Sequence, residues 1–509
     1  MIVSKQAGRG VLAVPAGVGL REQAVSGMLW SAGSRLLTQV LDQVFTVVLV
    51  RMLAPRDFGL MAMSAVFTSL LNVFADMGLA RAVVQREKID EEYLSTAFWG
   101  NVASGFVMCG LALAGAAPIA RLYDEPMAGA ILAALSLRFL FAGGSATHVA
   151  LLTRQMKFGA LTTRAVVSTV VGGTVGVVLV LKGAGVWSLV GQALATSLSR
   201  AVLLWVATSW RPRRLFSWEK ARDLWSFGGQ LLGARIFSYV VKQSDNFLIA
   251  RMLGPAMLGY YAFAYGLFLA PLIDISLIVG RVTLPAFSRL QRDIARLRQG
   301  FVETSTYVSM FGFPAIVGFF LVAPDLVAVI FGDKWLPAVP ALRTLLVAGF
   351  LSSHTNIWQS VFQAMNKPAW VLLWAFVSAC VYVPAFVVGV RWGIAGVAAG
   401  YLASTLLLVP IQLMLVHKLL SLRMRDYLAR FVPVVAASAA MAAIVYGVQH
   451  FVPGEGMRIA LRLGLSITAG GLTYLIGIFL MQRDLLTALI RILTRLRRTR
   501  TSELAGETV

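Results

Sequence analysis

The sequence predicts an all-α polytopic membrane protein of about fourteen transmembrane helices: two pseudo-symmetric six-helix lobes, then a C-terminal helix pair. Three observations carry this prediction. Apolar windows of about 20 residues, the length that crosses a hydrocarbon core about 30 Å thick, recur along nearly the whole chain. Most of the 45 Lys and Arg fall in the two tails and in the loops after even-numbered spans, the bias that sets membrane orientation. Finally, the first half of the chain returns in the second at a spacing of 200 residues.

Composition agrees with a chain that has no large soluble domain: 58% of residues are hydrophobic, 13% are charged and the mean hydropathy is +0.77. The net charge of +22 could suggest nucleic acid, but positive-inside bias accounts for it, and no nucleic-acid partner is expected. No GxxxxGKS phosphate loop, HExxH motif or clustered Cys/His set occurs. The two cysteines, Cys109 and Cys380, both sit in apolar windows, which argues against a disulfide or metal site. No cofactor is expected.

Residues 1–25 read as a cytoplasmic tail rather than a signal peptide, because Pro15, Gly17 and Gly19 interrupt the apolar run. Spans 1–6 occupy 26–210 and form an N-lobe. The stretch 211–225, RPRRLFSWEKARDLW, is a basic linker mixing Arg with Trp, Leu and Phe, as segments at an anionic lipid surface do. Spans 7–12 fill 226–417 as a C-lobe, and spans 13 and 14 fill 418–482. In the last segment, 483–509, Arg491, Arg495 and Arg498 lie opposite leucines and isoleucines, the pattern of a basic helix lying on the membrane. Both termini are expected in the cytoplasm.

The internal repeat is most legible in two stretches. RLLTQVLDQVFTVVLVRMLAP, 35–55, aligns without a gap on RIFSYVVKQSDNFLIARMLGP, 235–255, with seven identities. The register continues through Gly59/Gly259, Ala62/Ala262 and Arg81/Arg281. Both copies start from the same side, so the repeat is parallel, related by an axis along the membrane normal.

These two stretches also carry polar groups that hydrocarbon does not tolerate. A charge at the bilayer centre costs roughly 2.5–3.5 kcal/mol on insertion scales, so it must face protein or a hydrated cavity. Arg235, Tyr239, Lys242 and Asn246 recur at i, i+4, i+7 and i+11, one stripe on a helix; Arg35, Gln39, Asp42 and Thr46 take the same offsets in span 1. Span 2 returns with Asn72 and Asp76, and span 8 with Asp274, at depths that suit pairing of Arg35 with Asp76 and of Arg235 with Asp274. Such pairs could equally fix helix packing. Asp42 and Lys242 have no evident mates. Arg138 and Arg200 also lie mid-span, whereas Arg164, Arg343, Arg462 and Glu303 are near span ends, where snorkelling accounts for them. His354, with Asn356 and Gln359, reads as a patch of interhelical hydrogen bonds.

The segment RMLAPRDFGLMAMSAVFTSLLNVFADMGLARAVVQ, 51–85, resembles the hallmark of the polysaccharide transporter family, the Wzx-type flippases of the multidrug/oligosaccharidyl-lipid/polysaccharide superfamily. RMLGPAMLGYYAFAYGLF at 251–268 and VTLPAFSRLQ at 282–291 are its second-half counterparts. The resemblance implies a transporter, not an enzyme. Its substrate would be a polyprenyl-diphosphate-linked oligosaccharide, moved from the cytoplasmic to the periplasmic leaflet by alternating access of the two lobes.

On that reading Arg35, Arg235 and Lys242 are candidates for attracting the diphosphate, with Arg200 and Arg138 as further cations. Asn72, Gln39, Gln43, Gln243 and Asn246 would hydrogen-bond sugar hydroxyls. Asp42 or Asp245 would bind a coupling proton or sodium ion, and Asp76 and Asp274 would serve in gating pairs. Membrane lipids, a polysaccharide polymerase and export machinery are the implied partners. A drug or cation antiporter of the same superfamily is the nearest alternative, and an integral membrane polysaccharide-assembly enzyme the second.

Overall fold

The computed structural model describes residues 37–75, 83, 86, 89–222, 232–366, 368–453 and 458–481, apart from the side chains of 232–235, 269–282, 356 and 368. Arg35 and Asp76, the side chains of Arg235 and Asp274, the N-terminal tail and the C-terminal basic helix lie outside the described residues. Among the described residues the regular structure is entirely helical. Eleven stretches are long and apolar enough to cross a membrane, and the protein is a multi-pass membrane protein. The reason is physical: with no water in hydrocarbon, every backbone N–H and C=O must be satisfied within its own segment.

Eleven stretches do not mean eleven crossings. The stretch Ala369–Leu420 has 52 residues, about 78 Å if straight, and is broken at Gly393 (φ 71°) into two helices. The helical run Leu232–Leu290 likewise divides at Gly254, whose φ of 82° and ψ of 179° suit only glycine.

The helices in chain order are α1 (37–52), α2 (Pro55–Ala75), α3 (Glu91–Tyr123), α4 (Pro126–Leu135), α5 (Leu137–Arg154), α6 (Phe158–Leu181) and α7 (Trp187–Ala207). Then follow α8 and α9, the two parts of Leu232–Leu290 on either side of Gly254. After them come α10 (Ile294–Ile330), α11 (Val339–Ser353), α12 (Thr355–Ala364), α13 (Pro368–Gly389) and α14 (Gly393–Leu420). The last three are α15 (Met424–Ala429), α16 (Val432–Phe451) and α17 (Arg458–Met481).

Local chemistry sets several boundaries. Asp90 caps α3 by accepting the Tyr93 N–H at 2.7 Å, and Glu91 and Glu92 fill the first turn, where acids favour the helix dipole. Asp293 caps α10 in the same way, accepting the Arg296 N–H at 3.0 Å. The chain leaves α3 through Asp124 in the left-handed region (φ 52°) and enters α4 with Pro126 at the first helical position, where proline has no hydrogen bond to lose.

The chain divides into two compact units. The first takes the residues up to Ala262 together with Ala375–Ile394, and the second takes Phe263–Trp374 with the residues from Ala395 on. In the first, small residues let backbones approach closely. Gly105 of α3 and Gly143 of α5 face each other, and a Cβ on either would lie 2.7 Å from the Phe139 carbonyl oxygen or 2.5 Å from that of Asn101. The repeat makes a closer crossing. A Cβ on Gly59 would overlap the Pro255 carbonyl, and a Cβ on Gly259 would overlap that of Pro55. Residues 200 apart thus meet reciprocally, so a local two-fold relation runs between α2 and α9.

The linker 211–222 does not simply rest at a lipid surface. Its backbone and side chains are fastened to the start of α3. The Arg213 N–H donates to Ser95 Oγ (3.2 Å) and the Ser217 N–H to Thr96 Oγ1 (3.1 Å), while Trp99 Nε1 donates to the Arg213 carbonyl (2.8 Å). Trp210 Nε1 reaches Glu91 at 2.9 Å, and Lys220 Nζ bridges Asp90 and Glu92 at 2.6 Å each. Phe216 and Trp218 remain exposed, as an interfacial anchor would be.

In the second unit α16 and α17 pack on α10 through Met310, Val322, Met441, Val445 and Tyr474. Arg462 of α17 pairs bidentately with Asp325 of α10, with Nε at 2.7 Å from Oδ2. Asp325 is only 5% exposed. Snorkelling of Arg462 to the interface is therefore replaced by a buried ion pair, because a buried carboxylate without a partner costs more than ordering the arginine. Arg343 is also turned inward, donating to the Phe320 carbonyl at 2.9 Å. His354 does take the expected interhelical bond, 2.9 Å from Ser309 Oγ.

Candidate functional site

Three arginines on consecutive helices converge within the first unit. Arg138 stands in the first turn of α5, just after the break at Ser136 that separates α4 from α5. Arg164 lies two turns into α6, and Arg200 about two turns before the end of α7. With Asn72 and Thr68 of α2 they line a cavity of about 270 Å³, whose apolar wall includes Leu135, Phe139 and Phe141. The site lies between mid-depth and the side on which α2, α5 and α7 end and α6 begins.

The cavity is wet by its chemistry. Three guanidiniums facing hydrocarbon would cost about 8–10 kcal/mol on insertion scales, comparable to the whole stability of a domain. Among the described residues its lining contains no Asp or Glu. Arg200 opposes the charges of both Arg138 and Arg164, so the three cations are close enough to repel. Water and a bound anion are what relieve such a cluster. Arg138, Arg200 and Asn72 are all exposed to this space.

Their hydrogen bonding leaves capacity for a ligand. Arg138 Nε donates to Ser197 Oγ at 3.1 Å, and the buried Nε of Arg164 has no hydrogen-bond partner. Planar guanidiniums suit bidentate contact with phosphate oxygens. Asp42 of α1 interacts electrostatically with Arg200; the sequence had suggested no mate for it. Asp42 thus stands where it can compete with a bound anion for Arg200.

The α8 stripe is only partly assembled with this site. Lys242 is exposed and Gln243 half-buried, and neither lines the cavity. Asn246 donates through Nδ2 to Gln243 Oε1 at 3.0 Å, so these two amides partly satisfy each other. Tyr239 donates to the Val66 carbonyl at 2.9 Å and ties α8 to α2. Asp245 is 3% exposed and accepts from the Tyr261 hydroxyl at 2.9 Å and from the Asn246 N–H at 2.7 Å. Gln39 and Gln43 project from α1, half-buried and exposed respectively, outside the cavity lining.

Arg164 is the residue that position along the chain misjudged. Near a span end, snorkelling is a sound default, but here α6 starts beside the cavity and the side chain turns into it. Thr68 and Ser197 were also not singled out, since single hydroxyls in apolar helices usually bond their own backbone.

A family model described as "Polysaccharide biosynthesis protein" matches residues 48–340. The chain is 27% identical over 460 residues to a teichuronic acid biosynthesis protein, TuaB of Bacillus subtilis (strain 168), covering 90% of this chain and 95% of that one. It is 29% identical over 393 residues to a lipopolysaccharide biosynthesis protein, WzxC of Escherichia coli (strain K12), covering 75% and 78%. Among solved structures, the lipid II flippase MurJ in its inward closed conformation superposes with a TM-score of 0.71 at 15% identity, covering 91% of this chain and all of that one. At that identity the likeness concerns the fold.

Proposed function

Since the chain belongs to the polysaccharide biosynthesis protein family, we propose that it is a flippase. It carries a polyprenyl-diphosphate-linked oligosaccharide from the cytoplasmic to the periplasmic leaflet of the bacterial inner membrane, for exopolysaccharide, capsule or O-antigen assembly. It is a transporter and not an enzyme. The observation that carries the assignment is the three-arginine cavity among membrane-crossing helices. A diphosphate cannot enter hydrocarbon, whereas three guanidiniums can replace its hydration shell while the lipid tail stays in the bilayer.

In this reading Arg138, Arg164 and Arg200 hold the diphosphate, and Asn72 with nearby hydroxyls meets the first sugar. Lys242 would extend the cationic path, with Gln39, Gln43, Gln243 and Asn246 along it; the diphosphate role expected of Arg35 and Arg235 falls outside the described residues. Asp42 displaces the anion from Arg200 on release, and Asp245 is the buried carboxylate suited to a coupling proton. Alternating access would expose the cavity to one side at a time, with both termini in the cytoplasm and a polymerase receiving the product. An exporter of organic cations is disfavoured, because three positive charges repel such a substrate.

The test reconstitutes the full chain in vesicles with a fluorescent polyprenyl-diphosphate sugar and reads its transfer between leaflets. Arg138→Ala, Arg164→Ala and Arg200→Ala should each slow transfer at least tenfold, at unchanged expression and thermal stability. Wild-type transfer by a stably folded triple variant would refute the assignment.

A further inference from the structure

The second unit holds a separate cavity of about 550 Å³, the size that accepts one drug-sized or single-chain ligand. Its floor is buried: His354 and Trp358 are each under a tenth exposed, Ser309 Oγ and His354 Nε2 lie 2.9 Å apart, the other His354 nitrogen is held by Ser353 and the Phe350 carbonyl, and Trp358 Nε1 is a buried donor without a partner. Little is left inside for sugar hydroxyls. Its outer edge is Leu428, Val432 and Val435, which line the cavity and are nevertheless exposed. An opening bordered by exposed leucine and valine on a membrane-crossing helix faces acyl chains.

The rim has the opposite character. Between His417 and Val432 the chain carries Lys418, Arg423, Arg425 and Arg430 against the single acid Asp426. Arg423 and Arg425 are exposed, the first as the residue that caps the start of α15 and the second within its first turn, one turn before Tyr427 and Leu428, which α15 supplies to the cavity wall. A dry slot that opens sideways beneath a cationic rim is complementary to an amphiphile with an anionic head and a long hydrocarbon chain. We infer that this cavity holds one acyl chain of an anionic glycerophospholipid, with its headgroup phosphate on Arg423 and Arg425. A zwitterionic lipid would leave the rim's excess charge unbalanced. The site is distinct from the three-arginine cavity and does not rest on the function proposed for it.

The test uses the full chain in detergent, stripped of lipid and titrated with dioleoylphosphatidylglycerol or dioleoylphosphatidylcholine, with bound lipid counted by native mass spectrometry. One phosphatidylglycerol should bind at least tenfold more tightly than phosphatidylcholine. Arg423→Ser and Arg425→Ser should each weaken it about fivefold, and Val435→Trp, at an exposed position tolerant of bulk, should block the slot. Equal affinity for the two lipids, or indifference to all three substitutions, overturns the proposal. So does displacement of phosphatidylglycerol by an equal concentration of polyprenyl phosphate, which would assign the slot to the carrier lipid instead.

Discussion

Replacing Gly59 with alanine tests the meeting of the two repeats most directly. The added Cβ would lie 2.5 Å from the Pro255 carbonyl carbon and 3.0 Å from the Gly259 nitrogen; at Gly259 the corresponding distances are 2.6 Å to Pro55 C and 3.2 Å to Gly59 N. These neighbours are backbone atoms, so relief requires α2 and α9 to move apart at the crossing. Overpacking of this kind costs about 1–3 kcal/mol, equivalent to a 5- to 150-fold shift in any equilibrium that makes or breaks the crossing. Helix propensity acts the other way by up to about 1 kcal/mol, which Gly110→Ala calibrates, since nothing lies within 4 Å of its Cβ. Thermal unfolding of the purified protein should show Gly59→Ala and Gly259→Ala each destabilising and Gly110→Ala neutral or stabilising. Because one alanine already separates the helices, the double variant should fall short of the sum by at least about 0.5 kcal/mol, the threshold for coupling between neighbours. Fully additive effects, or no effect from either alanine, would refute the reciprocal crossing.

Two further predictions concern stability. Arg462→Met should destabilise the protein by about 3–5 kcal/mol, because it strands the buried Asp325 carboxylate; adding Asp325→Leu should recover most of the loss, read by the unfolding midpoint. The linker latch should depend on pH. The hydrogen bond from Lys220 holds the Asp90 carboxyl below its usual range, so its contribution is complete above about pH 4 and fades in more acidic solution. For Lys220, burial pulls the pKa down but the bonds to Asp90 and Glu92 outweigh it and raise it. That contribution is complete below about pH 10.4 and fades as pH rises further. Asp90 is mostly exposed, so the latch is worth about 1 kcal/mol or less. Limited proteolysis at 211–222 should be slowest between those limits, and Lys220→Met should abolish the difference.

The helices and the repeat were legible because hydrocarbon enforces long apolar runs and because seven identities survive in a 21-residue stretch. Arg138, Arg200 and Asn72 were legible for the same reason: a polar group in mid-span needs an explanation. What the sequence concealed is pairwise geometry. Nothing at Gly59 announces that its partner is Pro255, and nothing near Asp42 announces Arg200, 158 residues away. Arg164 and Arg462 looked alike by position, yet one turns into a cavity and the other into an ion pair, as the neighbouring helices dictate. The linker's cationic and aromatic composition fits a lipid surface equally well, and only the placement of Asp90, Glu91 and Glu92 shows what holds it.

The pairing of Asp325 with Arg462 bears on how far the chain could be shortened. Gln449 Nε2 of α16 also donates to the Leu321 carbonyl at 3.0 Å, so both α16 and α17 are tied to α10, and α17 supplies the partner that neutralises Asp325. A gene cut before α16 would therefore encode an α10 carrying an orphaned anion in oil. Among the described residues, α16 and α17 are a structural requirement of this protein and cannot be shed by a simple stop codon without a compensating change at Asp325.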